Sequence, residues 1–432
     1  MKKIAKRVLR GRAAVLARRL WTYPETRRLH ASWLALRDTL PTTRPERDRK
    51  PRVLIVPGDL ETVVGSLGDG AMISATISMA RSRIPNVEID VMTSSATAQP
   101  FDNSGDVRFL HMPNGRISSE AEIEAIRSRG YAGAFLLGAD ILDGHYGAPV
   151  AAKLLVIAGL LSRIGVPAAF LGFSFNSWPE PALRAFFSEV DADVRFNVRD
   201  EVSLGRFEAF AKRKGRLVAD SAFSLQPNLE SEGARTISDW CAGQRAQGRV
   251  VVGLNVHPML YVNPTEKQVG QIIDTTIAAI EGSDPNVAWL LLPHDYREGK
   301  GDEVVLRRIA EGVGPGAKDR CLYVPGRHDA ATLKAMASRL DGIVSGRMHL
   351  AIAGLGSGAP VLALTYQGKF DGLFRLVGLP EWLLLSPDQA FVQGRLAEVL
   401  PRFLAELPDL KAKVGERLPA LKAASALNYD IL

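Results

Sequence analysis

The stretch Asp341–Gly378 reads DGIVSGRMHLAIAGLGSGAPVLALTYQGKFDGLFRLVG. Its apolar run and small residues predict a buried strand over Gly342–Val344, a turn at Ser345-Gly346 and a helix from Met348 to Gly356. A second apolar strand follows at Pro360–Leu364 and ends in the polar cluster Tyr366, Gln367, Lys369 and Asp371. In an open parallel sheet, ligands sit beyond the carboxyl ends of the strands, beside the first turns of the following helices. Arg347, His349, Tyr366 and Lys369 all fall there, so two cations and an imidazole form a candidate anion site. Ser345 precedes the helix and offers its hydroxyl to the helix amides or to a phosphate.

Working outward, the same alternation of strand and helix fills most of the chain and predicts an α/β protein. Residues 51–230 form a first domain. Its opening strand, Arg52–Pro57, leads through the glycine-punctuated loop Gly58–Gly70 into a helix expected at Ala71–Arg81. Glycines let backbone amides approach an anion, but the loop is neither GxGxxG nor a P-loop, and a tight structural turn is an equal reading. Asp69 is a helix cap or a ligand group. Further strands are expected at Val87–Met92, Gly133–Leu137, Val166–Gly172, Val194–Val198 and Leu217–Phe223. Their loops carry Asp140, Asp143 and His145, then Asn176 beside Phe173, Phe175 and Trp178, then Arg199-Asp200. Arg199 is either a ligand contact or half of an ion pair at a helix start.

Asn228–Gly248 is a charged crossing, and residues 248–385 form a second domain. Strands at Val251–Val256, Ala288–Pro293 and Cys321–Val324 end near His257, His294 and His328, and His349 makes a fourth strand-end histidine. Residues 386–432 read as helices bracing the two domains, with Leu396, Val399, Leu400, Phe403 and Leu407 on one side only if Pro401 kinks the helix rather than ending it.

Composition narrows the chemistry. The net charge of +7 belongs to the leader: residues 1–50 carry fifteen Lys and Arg against four acids, or +11, leaving −4 for the rest. A nucleic-acid partner is therefore not expected. Within the leader Ile4, Val8, Val15, Leu16 and Leu20 with Trp21 suit one helix face, so a basic amphipathic helix lying on an anionic membrane through residues 1–40 and a solvated basic arm both remain open. No window reaches a membrane span, and the two cysteines, Cys241 and Cys321, are too few for a disulfide framework. The expected location is cytoplasmic, with the inner membrane face as the alternative. HExxH, CxxC and GxSxG are all absent, so no metal site and no serine nucleophile is expected. What remains is an anion-binding rim with titratable imidazoles, suited to moving a phosphorylated or carboxylated small molecule.

The segment around Arg347, Met348, His349, Gly358, Pro360, Tyr366 and Lys369 resembles, in order and spacing, the C-terminal signature of the polysaccharide pyruvyl transferases. Gly68-Asp69 resembles the family's N-G-D-E-A turn, and Arg199-Asp200 through Ser203 with Asp220 resembles its R-D-x-x-S and aspartate. The chain departs at Gly70, where the family tends to carry an acid, and at Gly346, which intervenes between Ser345 and Arg347. The resemblance implies two Rossmann-like domains facing across a cleft (GT-B-like), with phosphoenolpyruvate as donor substrate, no further cofactor, and a sugar or lipid-linked oligosaccharide as acceptor. The product is a pyruvate ketal on a cell-surface or exopolysaccharide. On this reading Ser345, Arg347, Tyr366 and Lys369 hold the donor, and His349, with His257 and His294 behind it, carries protons. Asp69, His145, Asn176 and Arg199 line the acceptor side. A nucleotide-sugar glycosyltransferase on the same fold and a non-catalytic polysaccharide-binding protein are the alternatives.

Overall fold

The computed structural model describes residues 22–41, 50–63, 66–96, 105–297, 301–365 and 369–432, with only the main chain of Lys369. The amphipathic pattern of residues 4–21 and the side chain of Tyr366 lie outside the described residues. Two compact units account for the chain. One comprises Met1–Gly65, Thr76–Ser221 and Ala426–Leu432; the other comprises Ser66–Ala75 and Ala222–Ser425.

The first unit is built on β1 (Arg52–Val56), β2 (Glu88–Thr93), β3 (Val107–His111), β4 (Tyr131–Leu137), β5 (Ala168–Phe173), β6 (Arg195–Val198) and β7 (Arg216–Leu217). They pair in the order β3-β2-β1-β4-β5-β6-β7, parallel throughout. Helices cover such a sheet on both faces, which is why β1, β4 and β5 are almost wholly buried runs of Val, Ile, Leu, Phe and Ala. The strand expected over Leu217–Phe223 stops after Leu217. The chain instead enters a 3-10 turn at Ser221–Ser224, with Asp220 drawn onto Arg199. The short edge strand β3, with only Leu110 fully buried, lacks the apolar run that marks the inner strands.

A helix over residues 22–39 packs on this unit. Thr26, Leu29 and Trp33, and Leu40 just beyond the helix, recur at helical spacing and are all buried. The Trp33 indole stacks on Phe186 at 5.9 Å, and a side chain at Gly159 would strike it. Arg37 closes the contact with Glu189 at 2.7 Å.

The second unit is built on β8 (Val250–Asn255), β9 (Val287–Leu291), β10 (Cys321–Tyr323), β11 (Gly342–Ser345), β12 (Val361–Leu364) and β13 (Leu384–Leu385). The order is β10-β9-β8-β11-β12-β13, again all parallel. Counted within its own sheet this is 3-2-1-4-5-6, the Rossmann order, and the direction of the count reverses between β8 and β11. Register places Ser345, the last residue of β11, opposite Asn255, the last of β8.

The helix expected to begin at Ala71 begins at Leu67 and runs to Arg83. Ser66 supplies the start signal: its hydroxyl accepts from the Asp69 amide, while the Asp69 carboxylate accepts from the Ser66 amide and hydroxyl. This is capping-box chemistry, with Asp in the place of Glu. Gly68 and Gly70 therefore lie in the first helical turn, not in a loop. Near the chain end, Pro401 sits inside the helix Arg395–Ala405 without ending it, and Leu396, Val399, Leu400 and Phe403 are buried along it.

Candidate active site

The carboxyl ends of β8 and β11 carry the charged centre of the second unit. After β11 the Ser345 hydroxyl accepts from the Arg347 amide at 3.0 Å and donates to the Arg347 carbonyl at 2.9 Å. This tight turn leaves Ser345 fully buried and sends Arg347 out at the start of the helix Met348–Leu355. The Arg347 guanidinium then meets two carboxylates. Its Nε and Nη2 donate to Asp302 at 3.0 and 2.6 Å, and Nη2 lies 3.1 Å from Asp295.

Asp302 is the hub. It is 0% exposed, and besides Arg347 it accepts from the Asn255 side-chain amide at 2.8 Å and the His294 amide at 2.9 Å. Three residues, from the ends of β8, β9 and β11, place four hydrogen bonds on this one carboxylate at the start of a helix. A buried charge is tolerated only when so completely hydrogen-bonded. Burial alone would raise the Asp295 carboxyl, but Arg297 and Arg347 beside it hold it below the usual carboxylate range. Among the described residues, Nη1 of Arg347 has no hydrogen-bond partner.

The strand-end histidines occupy three kinds of environment. His257 is fully buried, and its Nε2 donates to the Gly346 carbonyl at 3.1 Å; burial, with Arg347 nearby, holds it well below its ordinary value. His294 is pushed down to about 3 by burial, helped by His349 and Arg347. Both are therefore neutral imidazoles at physiological pH. His328 follows the edge strand β10 and bonds its own loop at Pro325. His349 is half-buried in the first turn of Met348–Leu355, with its ring face at Nδ1 against Gly68. Lys369 opens the helix Lys369–Val377 after β12.

In the first unit, the buried Asp143 accepts from the amides of His145 at 2.7 Å and Asn176 at 2.9 Å. It ties the loop after β4 to the loop after β5, and burial pushes its carboxyl above the usual range. Tyr146 and Trp178 stand on these loops, with Trp178 82% exposed. Arg199 is 4% exposed, donating to Asp220 and to the Ser174 hydroxyl, both at 2.7 Å. Asp69 belongs to the segment that groups with the second unit, where it caps its helix.

Thus Ser345, Arg347, His257, His294 and His349 come together in the second unit, and His145 and Asn176 in the first. Asp302 was not foreseen. Gly301-Asp302 before a helix reads only as a cap, and nothing in the local spacing points to an arginine 45 residues later. Among the described residues, no group of three His, Cys, Asp or Glu is placed to hold a metal ion.

A model of the polysaccharide pyruvyl transferase family matches residues 67–368, most of the chain. The chain belongs to the polysaccharide pyruvyl transferase family. That match begins at the turn that meets His349 and spans Arg347 and His349 themselves. A search of curated proteins finds no match. Among solved structures, the chain is similar to a UDP-GlcNAc 2-epimerase from Neisseria meningitidis bound to UDP-GlcNAc, at 11% identity and TM-score 0.54, covering 88% of this chain and 98% of that one. It is similar to a putative UDP-N-acetylglucosamine 2-epimerase from Listeria monocytogenes, at 11% identity and TM-score 0.53, covering 88% and 94%. An Anabaena protein in complex with UDP-glucose gives 14% identity and TM-score 0.51, covering 88% and 98%. These likenesses fix the fold of this pyruvyl transferase family member: α/β, with two Rossmann-like domains of the GT-B type.

Proposed function

We propose that the protein transfers the pyruvyl group of phosphoenolpyruvate to two hydroxyls of one sugar in a polysaccharide or its lipid-linked precursor. The observation that carries the reading is the placement of the family's arginine and histidine, Arg347 and His349, at the end of β11, where the strand order reverses. The donor brings a carboxylate and a phosphate. Arg347 offers Nη1 while Asp302 and Asp295 hold the rest of its fork, and Lys369 is assigned the second cation. His349 delivers a proton to the methylene carbon, and a sugar hydroxyl attacks the oxocarbenium-like C2. The C2–O bond to phosphate breaks as the second hydroxyl closes the ketal. The two hydroxyl protons end on the new methyl group and on the released phosphate. His257 and His294, neutral and buried, suit shaping the site better than exchanging protons with solvent.

For the acceptor side, exposed Tyr146 and Trp178 beside His145 and Asn176 offer aromatic faces and polar groups of the kind a sugar uses. Arg199, held by Asp220, supports that domain from within. The basic leader is assigned a contact with anionic lipid on the cytoplasmic face of the membrane; among the described residues, no helix is long and apolar enough to cross one. Sedimentation with anionic vesicles that is unchanged by deleting residues 1–21 would remove that assignment.

The test is phosphate release from phosphoenolpyruvate with a panel of oligosaccharides and their lipid-linked forms. The expected result is acceptor-dependent release that Arg347→Ala reduces on the order of 100-fold or more. Stabilisation by nucleotide sugars alone, with no phosphate release, would overturn the reading in favour of a glycosyltransferase.

A further inference from the structure

Gly68 lies in the second position of the helix Leu67–Arg83, with a backbone outside the left-handed region. No feature of the main chain calls for glycine there. Alanine is the better residue for a helix interior, and the helix start is already set by the reciprocal bonds of Ser66 and Asp69. The three atoms nearest to where a side chain would begin all belong to one group. A Cβ on Gly68 would overlap Nδ1 of His349 and fall 2.6 Å from its Cε1 and 2.7 Å from its Cγ. No other atom is among the three nearest. The three distances place that Cβ over the ring face at Nδ1, so the imidazole lies with its face against the bare Cα.

We infer that Gly68 is a positioning residue: its missing side chain sets the orientation of the His349 imidazole. This rests on the reading of His349 as the proton carrier of the pyruvyl transfer. The contact is non-local, formed by a helix start and a residue 281 positions later in sequence, both within the second unit. An imidazole swings about its own side-chain torsions at modest cost, so a methyl group at position 68 displaces the ring rather than the backbone. A ring displaced by about 1 Å loses catalytic geometry while substrate binding elsewhere survives, a loss on the order of 100-fold.

The experiment is a double-mutant cycle with Gly68→Ala, His349→Ala and the double variant, followed by thermal unfolding, by the rate at which diethyl pyrocarbonate modifies His349, and by phosphate release from phosphoenolpyruvate. Gly68→Ala should lower the melting temperature in the native background and raise it in the His349→Ala background, where the space is open and the better helix former prevails. It should change the modification rate of His349 severalfold and that of the other histidines little. Its kcat should fall on the order of 100-fold with the KM for phosphoenolpyruvate within about twofold. Equal melting shifts in both backgrounds, or an unchanged modification rate at His349, would overturn the inference. If no variant and not the native protein releases phosphate, the pyruvyl-transfer reading fails, and the melting and modification results still decide whether Gly68 sets the ring.

Discussion

Asp302 shows how one buried carboxylate organises a site. It holds Arg347, Asn255 and the His294 amide at once, and its removal leaves the arginine with Asp295 alone inside the protein. Breaking such a pair typically costs about 3–5 kcal/mol, because the surviving charge stays buried. Asp302→Ala should lower the unfolding free energy by that order, read from the urea midpoint, and Arg347→Ala/Asp302→Ala should cost less than the sum of the two single changes. Strict additivity would mean the two groups act independently. His294 makes a second prediction. Unfolded, its imidazole protonates near 6.5; folded, it resists down to about 3. Between those values the unfolded chain binds the extra proton, so this contribution is complete above pH 6.5 and shrinks as pH falls toward 3. His257, also held low by burial, acts in the same direction. The urea midpoint should therefore be lower at pH 5.0 than at pH 7.5, and His294→Asn should reduce that difference. A midpoint that rises on acidification would contradict the buried, neutral assignment.

At the scale of elements, the helix over residues 22–39 lies in a segment whose charge suggests a solvated arm. The helix carries Arg27, Arg28 and Arg37, yet Leu29 and Trp33 at a spacing of four mark a buried stripe. Trp33→Ala removes a ring stacked on Phe186 and packed over Gly159, and should destabilise the protein by about 3–5 kcal/mol in chemical denaturation. A loss within about 0.5 kcal/mol would mean the helix is not part of the folded core. The helix Leu67–Arg83 teaches a related lesson. Glycines at 68 and 70 argue for a loop on propensity, whereas the Ser66–Asp69 bonds and the pocket formed with His349 carry the helix through them. The short edge strand β3 escapes a pattern search because half-exposed residues lack the apolar run of the inner strands.

For the whole molecule, two units with separate sheets imply two unfolding steps. If the second unit holds the donor, phosphoenolpyruvate at 100 times its Kd should stabilise that unit's step by about 2.7 kcal/mol and leave the other unmoved. Equal shifts of both steps would place the donor elsewhere. The repeated pattern of apolar strand, turn and helix was legible along the chain because strand and helix periodicity are local properties, and so was the family signature at Arg347 and His349, which is contiguous. The α/β class and the chemistry of the rim follow from these alone. The strand order 3-2-1-4-5-6, the Arg347–Asp302 hub, the neutral His257 and His294, and the seat of His349 on Gly68 were decided only by the tertiary structure. Each depends on groups tens to hundreds of residues apart sharing one desolvated place. Burial and charge proximity in three dimensions, rather than spacing along the chain, set what those groups do.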